Sequence, residues 1–153
     1  MLIRTEAPAD ILPIDNLISQ HNSDSQFASS LMELRESGKI TLSLVACNDD
    51  GELIAHVAFI PVLVDGYENG WQVMTPITID VNCAGDIQYD LINDGISTLF
   101  ELGYSACFIS GDGSALEKYG FEKYGDNLWG ADGGSNSIRE NQDWLKWINV
   151  NSF

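Results

Sequence analysis

From Pro76 to Leu102 the chain reads as a strand, a short glycine-containing loop and a helix, and no other stretch limits the fold as tightly. Ile77-Thr78-Ile79-Asp80 alternates like the end of a buried strand. Asn82-Cys83-Ala84-Gly85 breaks that strand, and Asp86 has the side chain to cap a helix. From Ile87 onward Leu91, Ile92, Ile96, Leu99 and Phe100 recur at helical spacing until Gly103 stops the helix. A glycine turn leading into a helix N-terminus gathers free backbone N–H groups and the positive end of the helix dipole, which together hold anions. This turn carries Asp86 and no basic residue. Its backbone suits a phosphate and its side chains oppose one.

The charge distribution deepens that conflict. Seven Lys and Arg against 23 Asp and Glu leave a net charge of −16. Such a field repels nucleic acid and anionic membrane surfaces, which removes both as partners. It reads either as solubility and salt adaptation or as attraction for a cationic substrate such as an amine. Between Ile40 and Glu117 there is no Lys or Arg, and His56 is the only possible cation. An anion held by that half must rely on backbone N–H groups.

At 153 residues the chain is one domain by length, with 44% hydrophobic residues to form a core. Cys47, Cys83 and Cys107 lack metal-ligand spacing, so no zinc site is expected. Cys47 and Cys107 lie in apolar runs and read as small core residues, while Cys83 sits in the loop with nothing nearby to lower its pKa. Three cysteines without framework spacing fit a reducing compartment. Residues 1–10 lack an apolar signal segment, and the Leu53–Val64 run is too short to span a bilayer and contains Pro61. The location these features predict is cytoplasmic.

Along the chain, Leu2–Thr5 reads as a first strand and Asp10 to Gln20 as a helix with Ile11, Ile14, Leu17 and Ile18 on one face. Ser23 and Gln26 have capping-box spacing ahead of a second helix that buries Phe27, Leu31 and Leu34 and ends at Gly38. Thr41–Cys47 and Glu52–Val64 form a hairpin around Asn48-Asp49-Asp50-Gly51. Asp65 to Gly70 turns the chain, and Trp71 to Asp80 gives a strand interrupted near Pro76. Ser105–Ser110 is a buried strand, and Ser114–Tyr119 a short helix closed by Gly120. The C-terminal part, with Trp129, a Gly/Ser-rich loop, Trp144 and Trp147, gives no clear periodicity.

This order of elements resembles the GNAT acetyltransferase superfamily. LVACNDDGELIAHVAFIPV is similar to the family's second and third strands, and WQVMTPITID to its fourth. LGYSACFISGDGSALEKYGFE is similar to its fifth strand and following helix, in the branch of small-molecule N-acetyltransferases where a Gly-Asp pair follows that strand. The resemblance covers residues 1 to 125. It implies an α+β fold with a GNAT-like mixed, mostly antiparallel central sheet flanked by helices on both faces, in a single domain over residues 1–153. It also implies acetyl-CoA as co-substrate and a small-molecule amine as acceptor; a homodimer is a separate expectation, from tryptophans that suit a dimer face.

Carried over by position, Ile77, Thr78 and Ile79 would bind the pantetheine arm and polarise the thioester oxygen with backbone groups. Ala84, Gly85, Asp86 and Ile87 would wrap the pyrophosphate. The loop departs from the family pattern: it is shorter by one residue and lacks the leading basic residue and the second glycine. Asp86, capping the helix with its own carboxylate, would occupy the phosphate position and weaken CoA binding by about a few kcal/mol in a partly shielded site. The family's general-acid tyrosine falls at Leu116, five residues before Phe121, and Tyr119 is on another face of that helix. For a catalytic base, His56 is the candidate, with a neighbour-satisfied histidine as the structural alternative. Asp112 reads as an N-cap with a base as the alternative, Asp80 as structural, Asp65 and Glu68 as solvated turn residues or the edge of a substrate cleft, and the four tryptophans as core or interface with cleft lining as the alternative. Three functions stay open: an acetyltransferase working by direct amine attack, a GNAT-fold ligand-binding or interaction module that has lost CoA chemistry, and a homodimeric domain without a small ligand.

Overall fold

The structure, a computed structural model, describes residues 1–83 and 85–149. In chain order the elements are β1 (Leu2–Thr5), a 3-10 turn (Pro8–Asp10), α1 (Ile11–His21), α2 (Phe27–Glu36), β2 (Leu42–Cys47), β3 (Leu53–Val64), β4 (Tyr67–Met74) and β5 (Thr78–Ile79). They continue with α3 (Ile87–Glu101), β6 (Ala106–Ser110), a 3-10 helix (Ser114–Tyr119), β7 (Phe121–Gly125), β8 (Leu128–Asp132), α4 (Ser137–Glu140), a 3-10 turn (Gln142–Lys146) and β9 (Ile148–Asn149). Contacts gather these into two compact units, one built from Met1–Phe59 and Thr75–Gly95, the other from Ile60–Met74 and, among the described residues, 96–149. Among the described residues every strand pairing is antiparallel except β4 with β6. The α+β class read from the sequence is the class observed.

In the first unit a bidentate ion pair fixes the passage from β1 into α1. Arg4 donates to both carboxylate oxygens of Asp10 at 2.6 and 3.0 Å, and Asp10 also accepts the Ala7 N–H at 2.7 Å. Ile14 and Ile18 of α1, Phe27 and Leu31 of α2, and Val45, Cys47 and Ala58 of the sheet form one buried core. The capping box read from Ser23 and Gln26 is absent. Gln26 occupies the cap position without a side-chain bond, because Asn22 and Asp24 accept the N–H groups of Asp24 and Gln26 at 2.8 and 2.9 Å and wind the chain in their place. The β2–β3 hairpin follows its turn sequence, with the Asn48 side-chain oxygen accepting the N–H groups of Asp50 and Glu52 at 3.0 and 2.9 Å.

The strand expected over Trp71–Asp80 is two strands. Pro76 has no N–H to give to a ladder. Immediately before it, Thr75 donates its N–H to the Ala58 carbonyl at 2.8 Å and accepts the Ala58 N–H on its hydroxyl at 2.9 Å. Thr75 thus meets β3 with one backbone and one side-chain bond, which leaves its carbonyl free to turn away. The chain re-enters extended structure at Thr78 and pairs with β3 as β5, Thr78 opposite His56 and Ile79 opposite Ala55.

In the second unit the turn is tighter than the sequence reading. Asp65 and Gly66, at φ 50° and 81°, make a two-residue hairpin, and β4 begins at Tyr67 rather than Trp71. Trp71 is fully buried, packs in tilted contact with Phe108 and Trp144 at ring distances of 5.1 and 5.3 Å, and donates its indole N–H to Ser137 at 2.8 Å. β6 pairs with β8 and β8 with β7. That last hairpin escapes periodicity analysis because Gly130 interrupts β8 where Phe108 and Ile138 approach too closely for a Cβ.

Close approach also governs α3. A Cβ on Gly95 would overlap the Phe59 ring, which is fully buried on β3. Gly95→Ala should therefore destabilise the protein by about 1–2 kcal/mol, the overpacking outweighing the roughly 1 kcal/mol gain in helix propensity. Urea denaturation checks this through the midpoint; a higher midpoint would mean that Phe59 yields freely.

Candidate functional site

The residues marked for ligand binding gather in the first unit, on β5, the loop after it and the start of α3. The Asp80 N–H donates to the Ile54 carbonyl at 2.8 Å. Backbone direction alternates along a strand, so the N–H and C=O of Ile79 point away from β3 and lack a partner there, while Thr78 turns its own toward β3. Thr78 is buried and Ile77 and Ile79 are half-buried. Of the three positions carried over, the geometry leaves Ile79 with a free edge beside β3.

After β5 the Asp80 carboxylate accepts the Asn82 N–H at 2.9 Å, and the Cys83 N–H donates to the Asp80 carbonyl at 2.9 Å. Gly85 sits at φ 105°, a conformation that favours glycine. Ala84, one of the expected pyrophosphate residues, lies outside the described residues. Helix α3 opens at Ile87, with the Asp86 carbonyl accepting from Tyr89 and Asp90 at 3.0 and 3.4 Å. Asp86 thus holds the cap position through its backbone. Its exposed carboxylate makes no capping bond among the described residues, contrary to the expected side-chain cap. The first-turn N–H groups are not consumed by it. A groove of about 400 Å³ opens here, and Asp49, Asp86 and Asp90 stand on its rim. Burial and the carboxylates of Asp80 and Glu52 push the Cys83 thiol up, so it stays protonated at neutral pH.

His56 lies inside the protein. It is fully buried on β3, with Nε2 3.0 Å from the Ser43 hydroxyl. Ser43 donates to Glu6 Oε1 at 2.8 Å, and Glu6 is clasped by Arg35 at 2.7 and 3.2 Å. Burial pulls the imidazole down to about 4, with Glu6 opposing and Arg35 adding to the effect. Burial raises Glu6, but the bonds from Arg35 and Ser43 outweigh it and hold the carboxyl below its usual range. The imidazole sits neutral at pH 7 in a hydrogen-bonded row, out of contact with solvent. Glu6, Arg35 and Ser43 escape a sequence reading because they lie 13 to 37 positions from their partners. The one available signal is polar Ser43 and His56 within otherwise apolar strands.

The remaining candidates take structural places. Leu116 is buried at 6% exposure in the second unit, and Asp112 accepts the Ser114 N–H at 2.9 Å ahead of its 3-10 helix. Asp65 forms the tight hairpin with Gly66, and Glu68 is exposed. Cys47 and Cys107 are buried, and Trp129 is a core residue, whereas Trp147 is 62% exposed.

The depressed His56 value has a direct consequence for stability. Below about pH 6.5 the unfolded chain binds a proton on this residue and the folded chain does not until about pH 4. Unfolding free energy therefore falls as pH drops through that window, by roughly 3 kcal/mol for this group. Glu6 and Asp10, both held below the ordinary carboxylate range, add their losses at lower pH. Denaturation at pH 7 and 4.5 should show this loss in the native protein and a much flatter response in His56→Gln. Equal losses in both would place the titrating group elsewhere.

No family model matches the chain. Its relatives are nonetheless clear. Escherichia coli (strain K12) uncharacterized N-acetyltransferase YhbS is 38% identical over 123 residues, covering 80% of this chain and 74% of that one. The crystal structure of the GNAT family N-acetyltransferase YhbS from Escherichia coli in complex with CoA superposes with a TM-score of 0.81 at 31% identity, over 90% of this chain and 83% of that one. A GNAT family acetyltransferase from Brucella melitensis, in complex with acetyl-CoA, gives 0.78 at 30% identity, over 87% and 88%. With the fold, the order of elements and this degree of identity in agreement, the chain belongs to the GNAT N-acetyltransferase family.

Proposed function

We propose that this chain, acting as one GNAT-like domain, transfers an acetyl group from acetyl-CoA to a small-molecule amine by direct attack. The supporting observation is its likeness, at 30% identity or more over most of its length, to two GNAT proteins crystallised with CoA or acetyl-CoA. The free edge at Ile79 and the uncapped first turn of α3 support it by offering unpaired backbone groups to such a ligand. Acetyl-CoA supplies the activated acyl group. The amine nitrogen bonds the acetyl carbon, the C–S bond breaks with its electron pair going to sulfur, CoA leaves as the thiolate, and the amine proton is released to water, from which the thiolate regains one.

In this reading the Ile79 N–H polarises the thioester oxygen, and the half-buried Ile77 keeps water from that edge. Gly85 and the N–H groups at Ile87 face the pyrophosphate. Water takes the amine proton, since His56 is sealed in the core and Leu116 has no proton to exchange. The acceptor class follows from the net charge of −16, which concentrates cationic amines near the protein. No described helix is long and apolar enough to cross a membrane, and the three thiols are free, which suits a cytoplasmic location.

The exposure of Asp86 also revises its cost. A carboxylate facing water opposes a phosphate by about 1 kcal/mol, well below the value for a shielded site. Calorimetry with acetyl-CoA should find near-stoichiometric, micromolar binding that tightens as salt rises from about 10 to about 150 mM, because salt screens the repulsion. Asp86→Gly should bind about threefold to fivefold more tightly at low salt, with little loss of helix stability. No heat at millimolar acetyl-CoA would overturn the reading and leave a GNAT fold without CoA chemistry. Unchanged affinity in Asp86→Gly would remove the repulsion argument alone.

A further inference from the structure

The row through His56 stops one bond short of completion. Glu6, paired with Arg35, accepts the single proton of the Ser43 hydroxyl. Toward His56 the same hydroxyl oxygen is then an acceptor, and the imidazole must carry its proton on Nε2. That leaves Nδ1 as a bare lone pair. It is buried and unpartnered. Directly opposite on β5 stands Thr78, 2% exposed, whose hydroxyl is likewise buried and unpartnered. Opposed residues of an antiparallel pair share a face with Cβ atoms about 5 Å apart. One orphan accepts and the other donates, at the same rung of the ladder.

We propose that His56 and Thr78, which make no direct hydrogen bond, are a positioning pair: the Thr78 hydroxyl donates to one buried water that in turn donates to His56 Nδ1, and so ties β5 to the row that begins at Arg35. The need for a tie is local. β5 has two residues, follows the Pro76 break, and meets β3 through the rungs at Thr78 and Ile79. A side-chain bond at Thr78 fixes its height above the sheet, and with it the free edge at Ile79. His56 then serves the reaction through β5 and touches no substrate. The link to acetyl transfer rests on the proposed role of β5 in binding acetyl-CoA; the pair itself does not.

Three proteins test it: the native chain, Thr78→Val, which keeps the shape without the hydroxyl, and Thr78→Ser, which restores it. Imidazole 15N shifts report the protonation of each ring nitrogen, and amide hydrogen exchange at Asp80 reports how firmly β5 is held. The native chain and Thr78→Ser should share an Nε2–H tautomer with a hydrogen-bonded Nδ1. Thr78→Val should shift Nδ1 to the value of a free lone pair and speed Asp80 exchange by about threefold to tenfold. Acetyl-CoA affinity should fall by a similar factor in Thr78→Val and recover in Thr78→Ser. A proton on Nδ1, or an Nδ1 shift identical in Thr78→Val, overturns the pair. A shifted Nδ1 with unchanged Asp80 exchange overturns the positioning role. Failure of the native chain to bind acetyl-CoA would remove the proposed function, while the shift and exchange data would still decide this one.

Discussion

A proline that cannot donate sets the geometry of the candidate site. Because Pro76 lacks an N–H, the ladder with β3 cannot run through it, and the chain must part from the sheet and rejoin it. Thr75 keeps the parting from becoming a frayed end. It satisfies both the N–H and the C=O of Ala58, one with its hydroxyl and one with its backbone. What rejoins is a two-residue strand with one edge on β3 and, at Ile79, the other turned away. The Asp80–Asn82 turn and the start of α3 come within the next eight residues. A free strand edge and an open helix terminus are thus consequences of one break. Each presents backbone groups, and neither needs a basic side chain.

The polar row under this strand is costly by ordinary packing rules. An apolar residue at position 56 would join the core that Val45 and Ala58 build on the same face of the sheet, whereas a buried ring nitrogen without a partner forfeits about 1–3 kcal/mol. The Arg35–Glu6 pair offsets part of that by holding one carboxylate ionised and in place, which in turn fixes the direction of the Ser43 proton. Directionality is what such a row adds and what an apolar core lacks. Each donor is assigned by the acceptor before it, so a charge at the protein's margin determines which nitrogen of a buried ring is bare.

Local signals carry most of the fold. β1, the β2–β3 hairpin, α3 and β6 stand where alternation, the Asn-Asp-Asp-Gly turn and helical spacing put them, because each is specified within a dozen or so residues. The GNAT resemblance rests on their order and extends to the family itself. The errors share a cause as well. Ser23 and Gln26 have the spacing of a capping box, but Asp24 takes the Gln26 N–H that Ser23 would cap, and Asn22 takes the N–H of Asp24. β7 and β8 are short and glycine-broken, and their register is fixed by distant β6. His56 looks like a base because its intrinsic pKa suits one. The carboxylate, guanidinium and hydroxyl that surround it come from β2, α2 and the turn after β1, which no local pattern reports.

The conflict between backbone and side chains at α3 resolves through exposure. A helix N-terminus attracts an anion by about 0.3–1 kcal/mol, and an exposed carboxylate beside it repels one by a comparable, salt-screened amount. Asp86 therefore offsets the dipole's attraction and, with Asp49 and Asp90 lining the same groove, leaves a small net repulsion that salt screens, without turning the site into a barrier. Whatever affinity an acetyl-CoA-like ligand has must then come from uncharged contacts, chiefly the strand-like bonds available at Ile79 and the apolar surface around it. Neutral contacts do not weaken with salt, while the attraction of a cationic acceptor does. Under the acetyltransferase reading, an acidic rim that costs the co-substrate little raises the local concentration of amines at the place where one is consumed. The charge that makes the loop look unsuited to a phosphate is then better matched to the second substrate than to the first.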